Sequence, residues 1–177
     1  MSRLFPHTAY AEDQPYYKTI LTSHVLYRGF QTGSAIGIVV GLSRTLLGSV
    51  LTKSKPSPFK NGAVIFSTVQ RSTGVGAVIG TCMLAVILPM HMMGKEEIEW
   101  KDRSWRLLEN QGQMEVDDWS LPGTVAGAAI MAARSHSGDL RRWRPIVGGA
   151  GIGSLAGVVG YLVWRYGIWG GKRQETA

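Results

Sequence analysis

The sequence predicts an all-α integral membrane protein, with four transmembrane helices carrying glycine-rich packing faces. Three observations support this. The charges of the 177-residue chain collect in short blocks, and apolar stretches interrupted mainly by Gly, Ser and Thr lie between them. Most of the 23 Gly residues fall inside those stretches rather than in turns. Within each stretch, glycines recur at every fourth position. A Gly in a helix interior costs about 1 kcal/mol relative to Ala. In a bilayer that cost is offset, because small residues let helix backbones approach closely. The chain length fits one domain. A hydrophobic content of 45% is ordinary for a soluble protein, so the pattern carries the prediction and the amount does not.

Residues 1–28 form an N-terminal segment. It lacks the apolar core of a secretory signal, and Pro6, Glu12, Asp13 and Pro15 break any transit-peptide character. The four-helix transmembrane domain covers 29–171, and 172–177 are a C-terminal tail.

The first span is 29–51, GFQTGSAIGIVVGLSRTLLGSVL, long enough at 1.5 Å per residue to cross an apolar layer of about 30 Å. Arg44 interrupts it. The second, 72–93, has no Asp, Glu, Lys or Arg, and Pro89 falls near its end, where a kink costs little. An acidic loop, 94–118, follows, with eight acidic and four basic residues. The third span, 119–133, is short at 15 residues. Ser120 is expected to cap it, with Pro122 in its first turn. Trp119 is expected at the interface, and Arg134 to snorkel outward. The fourth span, 145–169, is broken only by Arg165. Trp143, Trp164 and Trp169 sit at its ends, as an aromatic belt requires.

Gly33, Gly37 and Gly41 line the first span at intervals of four, Gly76 and Gly80 the second, and Gly123 and Gly127 the third. Gly149, Gly153 and Gly157 do the same in the fourth. That spacing puts each set on one helix face. The resulting stripe has no side chains, so a second backbone can lie against it and gain dispersion and weak Cα–H···O contacts. These faces are read as helix–helix contacts, within the chain or against a partner.

Candidate chemistry is sparse. Gly151, Gly153 and Ala156 match a loose G-x-G-x-x-A pattern. However, Arg141, Arg142, Trp143, Arg144 and Pro145 precede it where a dinucleotide-binding fold needs a strand, so no cofactor is expected. His7, His24, His91 and His136 are scattered without ligand spacing, so no metal is expected. Glu96, Glu97 and Glu99 alternate with Lys95, Lys101 and Arg103 and read as a solvated charged loop, so no catalytic residue is assigned. The single Cys82 reads as a small packing residue. Arg28 is expected at the membrane interface. Arg44, an ionisable residue within a span, suggests a role by default. It is read as snorkelling or touching lipid, or as pairing with a partner subunit, with a transport role behind both. The net charge of +7 flanks apolar segments, which favours anionic lipid headgroups over nucleic acid.

The run HVLYRGFQTGSAIGIVVGLSR, followed by glycine-rich spans, resembles the four-helix family of mitochondrial inner-membrane preprotein translocase subunits. Within that superfamily, DRSWRLLENQGQMEVDDWS looks like the fungal-type, translocase-like accessory subunits of respiratory complex I, NADH:ubiquinone oxidoreductase. The resemblance covers roughly 17–170. Translocase subunits carry an aromatic, then an Arg and an acidic residue before paired glycines. Here Ala63 and Phe66 could begin that pattern and Arg71 is present, but the acidic position near Val75 is apolar.

The complex I resemblance implies a multi-pass, non-catalytic inner-membrane subunit that supports assembly and stability of the membrane arm. Its partners would be the hydrophobic core subunits and anionic phospholipids such as cardiolipin, with no nucleic acid. Trp105 and Trp119 would dock it on the intermembrane-space side. Arg28, Arg44, Arg134, Arg141, Arg142 and Arg144 are the other candidate partner or lipid contacts. The basic loops 52–71 and 134–145 would face the matrix, and both termini the intermembrane space. The alternative is a subunit of the import translocase itself.

Overall fold

The computed structural model describes residues 5–51, 58–134 and 143–168. These residues are all-helical: α1 (Tyr17–Leu51), α2 (Pro58–Met92), α3 (Glu97–Glu109), α4 (Gln111–Arg134) and α5 (Trp143–Leu162). A 3-10 turn, Ala11–Asp13, precedes α1, and a π-helical turn, Val163–Ile168, continues α5.

The helices run further than the apolar stretches do. Both α1 and α2 are 35 residues long, about 52 Å at 1.5 Å per residue. Pro58 opens α2 at a position where a missing N–H costs nothing. Gly94, at φ +76°, lies in the left-handed region and turns the chain out of α2. The stretch 94–118 is not a loop. Most of it is α3 and the first two turns of α4. The Glu99 carboxylate accepts the Glu96 backbone N–H at 3.1 Å, fixing the start of α3. The Asn110 side chain accepts the Gln113 N–H at 3.2 Å, so Asn110, not Ser120, caps α4. Ser120 and Pro122 lie inside α4, and Ser120 is fully buried.

Two helical stretches are long and apolar enough to cross a membrane among the described residues: Gly62–Met92 and Trp143–Ile168. Helices α1 and α4 do not reach that composition. The first turns of α4 carry Glu115, Asp117 and Asp118, and α1 mixes Gln31, Thr32 and Ser34 with its apolar residues.

The architecture is two hairpins, α1–α2 and α4–α5, joined by contacts of α5 with α2 and α1. Helix α3 lies against the N-terminal part of α1. There, Leu21, Leu88 and Met92 form a small apolar cluster with Val25 and Trp100 against it. Elsewhere the interior mixes polar residues and glycine with scattered apolar ones such as Ile20, Ala77, Leu108 and Met131. Ser34, Thr73, Ser120 and Ser154 are fully buried, while Ile36, Val39, Ile79, Met83, Ile130 and Val159 are exposed. Cys82, expected as a packing residue, is exposed on α2.

Candidate functional site

The glycine stripes are where the hairpins close. Helices α1 and α2 run antiparallel, with Gly29 against Gly80, Gly33 against Gly76, Gly37 against Ser72, and Gly41 against Val69. A Cβ added at Gly29 would sit 2.7 Å from the Gly80 carbonyl oxygen. At Gly37 it would sit 2.5 Å from the Ser72 oxygen, and at Gly33 closer still to the Gly76 oxygen. Real Cβ atoms essentially never come within 3.0 Å of such atoms, so these backbones are in direct contact. The second hairpin repeats the arrangement, with Gly123 against Gly153, Gly127 against Gly149, and Gly157 against Trp119 and Ser120. All ten glycines singled out in the sequence thus lie in intramolecular helix contacts.

Three more glycines join the hairpins and were not among the packing glycines read from the sequence. Gly74 meets the Arg144 carbonyl, Gly148 meets the Gln70 carbonyl, and Gly151 meets Ser34 and Thr73. They fall outside the four-residue rows, because each lies on a second face of its helix.

A hydrogen-bonded polar network fills the space between α1, α4 and α5. The Tyr27 hydroxyl lies 2.9–3.1 Å from the hydroxyls of Ser120, Thr124 and Ser154. Gln31 donates from Nε2 to Ser154 Oγ at 3.1 Å and accepts from Arg28 Nη1 at 2.6 Å. Arg28 Nη2 donates to Asp117 Oδ1 at 2.9 Å, and Arg28 Nε donates to His24 Nε2 at 3.4 Å. His24 Nδ1 faces Asp117 Oδ2 at 3.5 Å. The Asp117 side chain is only 2% exposed. A buried carboxylate persists only when paired and hydrogen-bonded, and here a guanidinium and an imidazole enclose it. Arg28 therefore pairs inward with Asp117. This pairing escaped sequence reading, which placed Asp117 in a loop eighty-nine residues away. A second pair ties the start of α4 to the end of α5. Glu115 accepts from Tyr161 Oη at 2.6 Å and from Arg165.

The remaining candidates divide by location. Trp105 is half-buried. Its Nε1 donates to the Thr8 carbonyl at 2.9 Å, and its ring stacks on His7 with centroids 5.6 Å apart. It therefore anchors the N-terminal segment on α3. Trp119 is exposed and its ring meets Trp164, 6.1 Å away. Arg134 is exposed at the end of α4. Arg44 and Arg144 are also exposed, and with Arg71 they line one end of a cleft between α1 and α2. Arg141, Arg142 and Trp169 lie outside the described residues. Among the described residues, no group of three His, Cys, Asp or Glu is placed to hold a metal.

The charged groups fall at two ends of the bundle. Gly41 lies beside Val69 and Ser72, Gly74 beside Arg144, and Gln70 hydrogen-bonds the Pro145 carbonyl and touches the Met131 sulfur. These contacts bring Arg44, Arg71, Arg134 and Arg144 to one end. The Arg28–Asp117 and Glu115–Arg165 pairs and the Leu21–Leu88–Met92 cluster mark the other end.

Fold and interior together define an all-helical protein closed by backbone contact and centred on polar side chains. It belongs to the family described as protein of unknown function (DUF1757), which matches residues 9–163. No curated protein and no solved structure matches the chain.

Proposed function

We propose that the chain is a four-span integral membrane protein and a non-catalytic accessory subunit of mitochondrial complex I, stabilising its membrane arm. The observation that carries the membrane part is the inverted distribution of side chains. Ser, Thr, Gln and Asp are buried, and large aliphatic side chains are exposed on α1, α2, α4 and α5. In water, exposed apolar surface on this scale is disfavoured. In hydrocarbon it costs nothing, and buried polar groups that hydrogen-bond one another hold helices together.

The spacing of the charged ends agrees. From end to end there are sixteen residue steps along α1 (Arg28 to Arg44), seventeen along α4 (Asp117 to Arg134), and twenty-one each along α2 (Arg71 to Met92) and along α5 with its π-helical turn (Arg144 to Arg165). At 1.5 Å per residue these are roughly 24–32 Å, close to the hydrocarbon thickness of a bilayer. Arg44 then marks the edge of the first span rather than its interior. Helices α1 and α4 count as spans because their polar residues face the bundle, which an averaged hydropathy cannot register.

The arginine end, by the positive-inside rule, faces the matrix, and both termini face the intermembrane space. Beyond that end, α1 and α2 expose Leu46, Leu47, Val64, Ile65 and Phe66. This patch suits a hydrophobic neighbouring subunit. The complex I assignment rests on the resemblance of 102–120, which spans α3 and the first turns of α4. Blue-native electrophoresis in mild detergent tests it. Migration with NADH dehydrogenase activity is the expected result, and migration with the import translocase would assign the chain to that machine instead.

A further inference from the structure

The α1–α2 contact is tight along one line and open beside it. A cleft of about 880 Å³ runs along the hairpin from Gly29 and Ile87 to Arg44 and Arg71. Gly33, Gly37, Gly76 and Gly80 contribute to its surface, with Ile36, Val40, Ile79 and Met83 lining it alongside them. This volume is typical of a site for a small molecule. From Gly29 to Arg44 the cleft follows about 22 Å of helix, somewhat more than one leaflet of hydrocarbon. Arg44, Arg71 and Arg144 converge on one end, and no Asp or Glu lines any part of it. Arg44 and Arg71 form no ion pair among the described residues, and the Arg144 guanidinium lies over the Trp143 ring.

An apolar channel one acyl chain long, with three arginines lining its membrane-edge end, suits an anionic lipid. We propose that this cleft holds one anionic phospholipid, with an acyl chain along the glycine floor and its phosphate at Arg44, Arg71 and Arg144. The inference rests on the membrane reading above and adds to it a defined site with headgroup selectivity. Guanidinium groups suit it because they offer planar, paired donors to phosphate oxygens.

The test uses the full-length protein reconstituted in nanodiscs of phosphatidylcholine with a minor fraction of phosphatidylglycerol. After release into mild detergent, retained lipids are counted by native mass spectrometry. The wild type should keep one phosphatidylglycerol in preference to phosphatidylcholine. Arg44→Gln and Arg71→Gln should each lower that preference roughly fivefold, following the attraction per basic residue near a membrane surface. Ile36→Trp, which fills the cleft from an exposed position, should abolish retention of the lipid. Arg103→Gln, exposed on α3 and outside the cleft, should leave retention unchanged. Helical circular dichroism verifies that each variant is folded.

Equal retention of both lipids would overturn the proposal, as would an equal loss in the Arg103 variant. A co-purifying polypeptide helix cross-linked from position 36 in place of lipid would overturn it too. Release of the protein from membranes by alkaline carbonate would instead defeat the membrane reading itself, so the two failures are distinguishable.

Discussion

At the scale of single residues, the same substitution should act with opposite sign at different glycines. Gly62 is exposed and a Cβ there would meet nothing within 4 Å. Gly62→Ala should therefore stabilise α2 by about 1 kcal/mol, the helix propensity difference alone. A Cβ at Gly33 or Gly127 would run into the facing carbonyl, so Ala there must push two backbones apart. Those variants should lose about 1–3 kcal/mol, the range of overpacked cores. Thermal unfolding in detergent compares the three. Stabilisation of Gly33→Ala would show that the backbones are not in contact.

Asp117 supplies the second residue-scale prediction. Asp117→Asn leaves the Arg28 charge without its carboxylate and should cost about 3 kcal/mol, as in other broken buried pairs. Adding Arg28→Met should recover part of that loss, so the double variant is more stable than the sum of the singles. Additive losses would mean that the two side chains are uncoupled. The four-residue glycine rows were legible because helical periodicity alone fixes a shared face. The partner of Arg28 was not, since no local pattern gives the rotation of α4 about its axis.

At the scale of elements, α3 fastens the N-terminal segment. Trp105 holds Thr8 and stacks on His7, and Lys18 and Lys101 lie over neighbouring aromatic rings. Trp105→Ala should expose 6–16 to limited proteolysis while the bundle stays folded. Unchanged cleavage would remove Trp105 from this role. The Lys101 ammonium hydrogen-bonds Glu97 and holds its carboxyl below the usual carboxylate range, and Lys95 does the same for Glu99. A depressed carboxyl contributes stability above its unfolded pKa and loses it as pH falls through the folded one. Helix α3 should therefore loosen on acidification below about 4, the region of an ordinary Glu. Tryptophan fluorescence from Trp100 and Trp105 follows this, and the Glu97→Gln/Glu99→Gln variant should flatten the response. A sequence reading by charge density made this segment a loop. The charges lie on the outer side of a helix whose Ser104 and Leu108 are buried.

At the scale of the whole molecule, α2 and α5 were legible as candidate spans because their apolar residues suffice in any average. The other two helices were harder to delimit. In α1 the helix starts at Tyr17, ahead of the 29–51 stretch, and Tyr27, Arg28 and Gln31 look like exterior residues until α4 and α5 enclose them. In α4 the charges of the first turns masked a helix that continues without a break from Gln111 to Arg134. The four-span proposal therefore puts hydrocarbon around α1 and α4 as much as around α2 and α5.

Site-directed spin labelling tests this most directly. Single cysteines at Ile36, Ile79, Ile130 and Val159, one exposed position on each of α1, α2, α4 and α5, would be placed in a Cys82→Ser background and reconstituted in bilayers. The account predicts that all four labels are accessible to oxygen and shielded from a water-soluble relaxation agent. Labels at 79 and 159 in hydrocarbon with those at 36 and 130 in water would contradict it, leaving a protein of two spans.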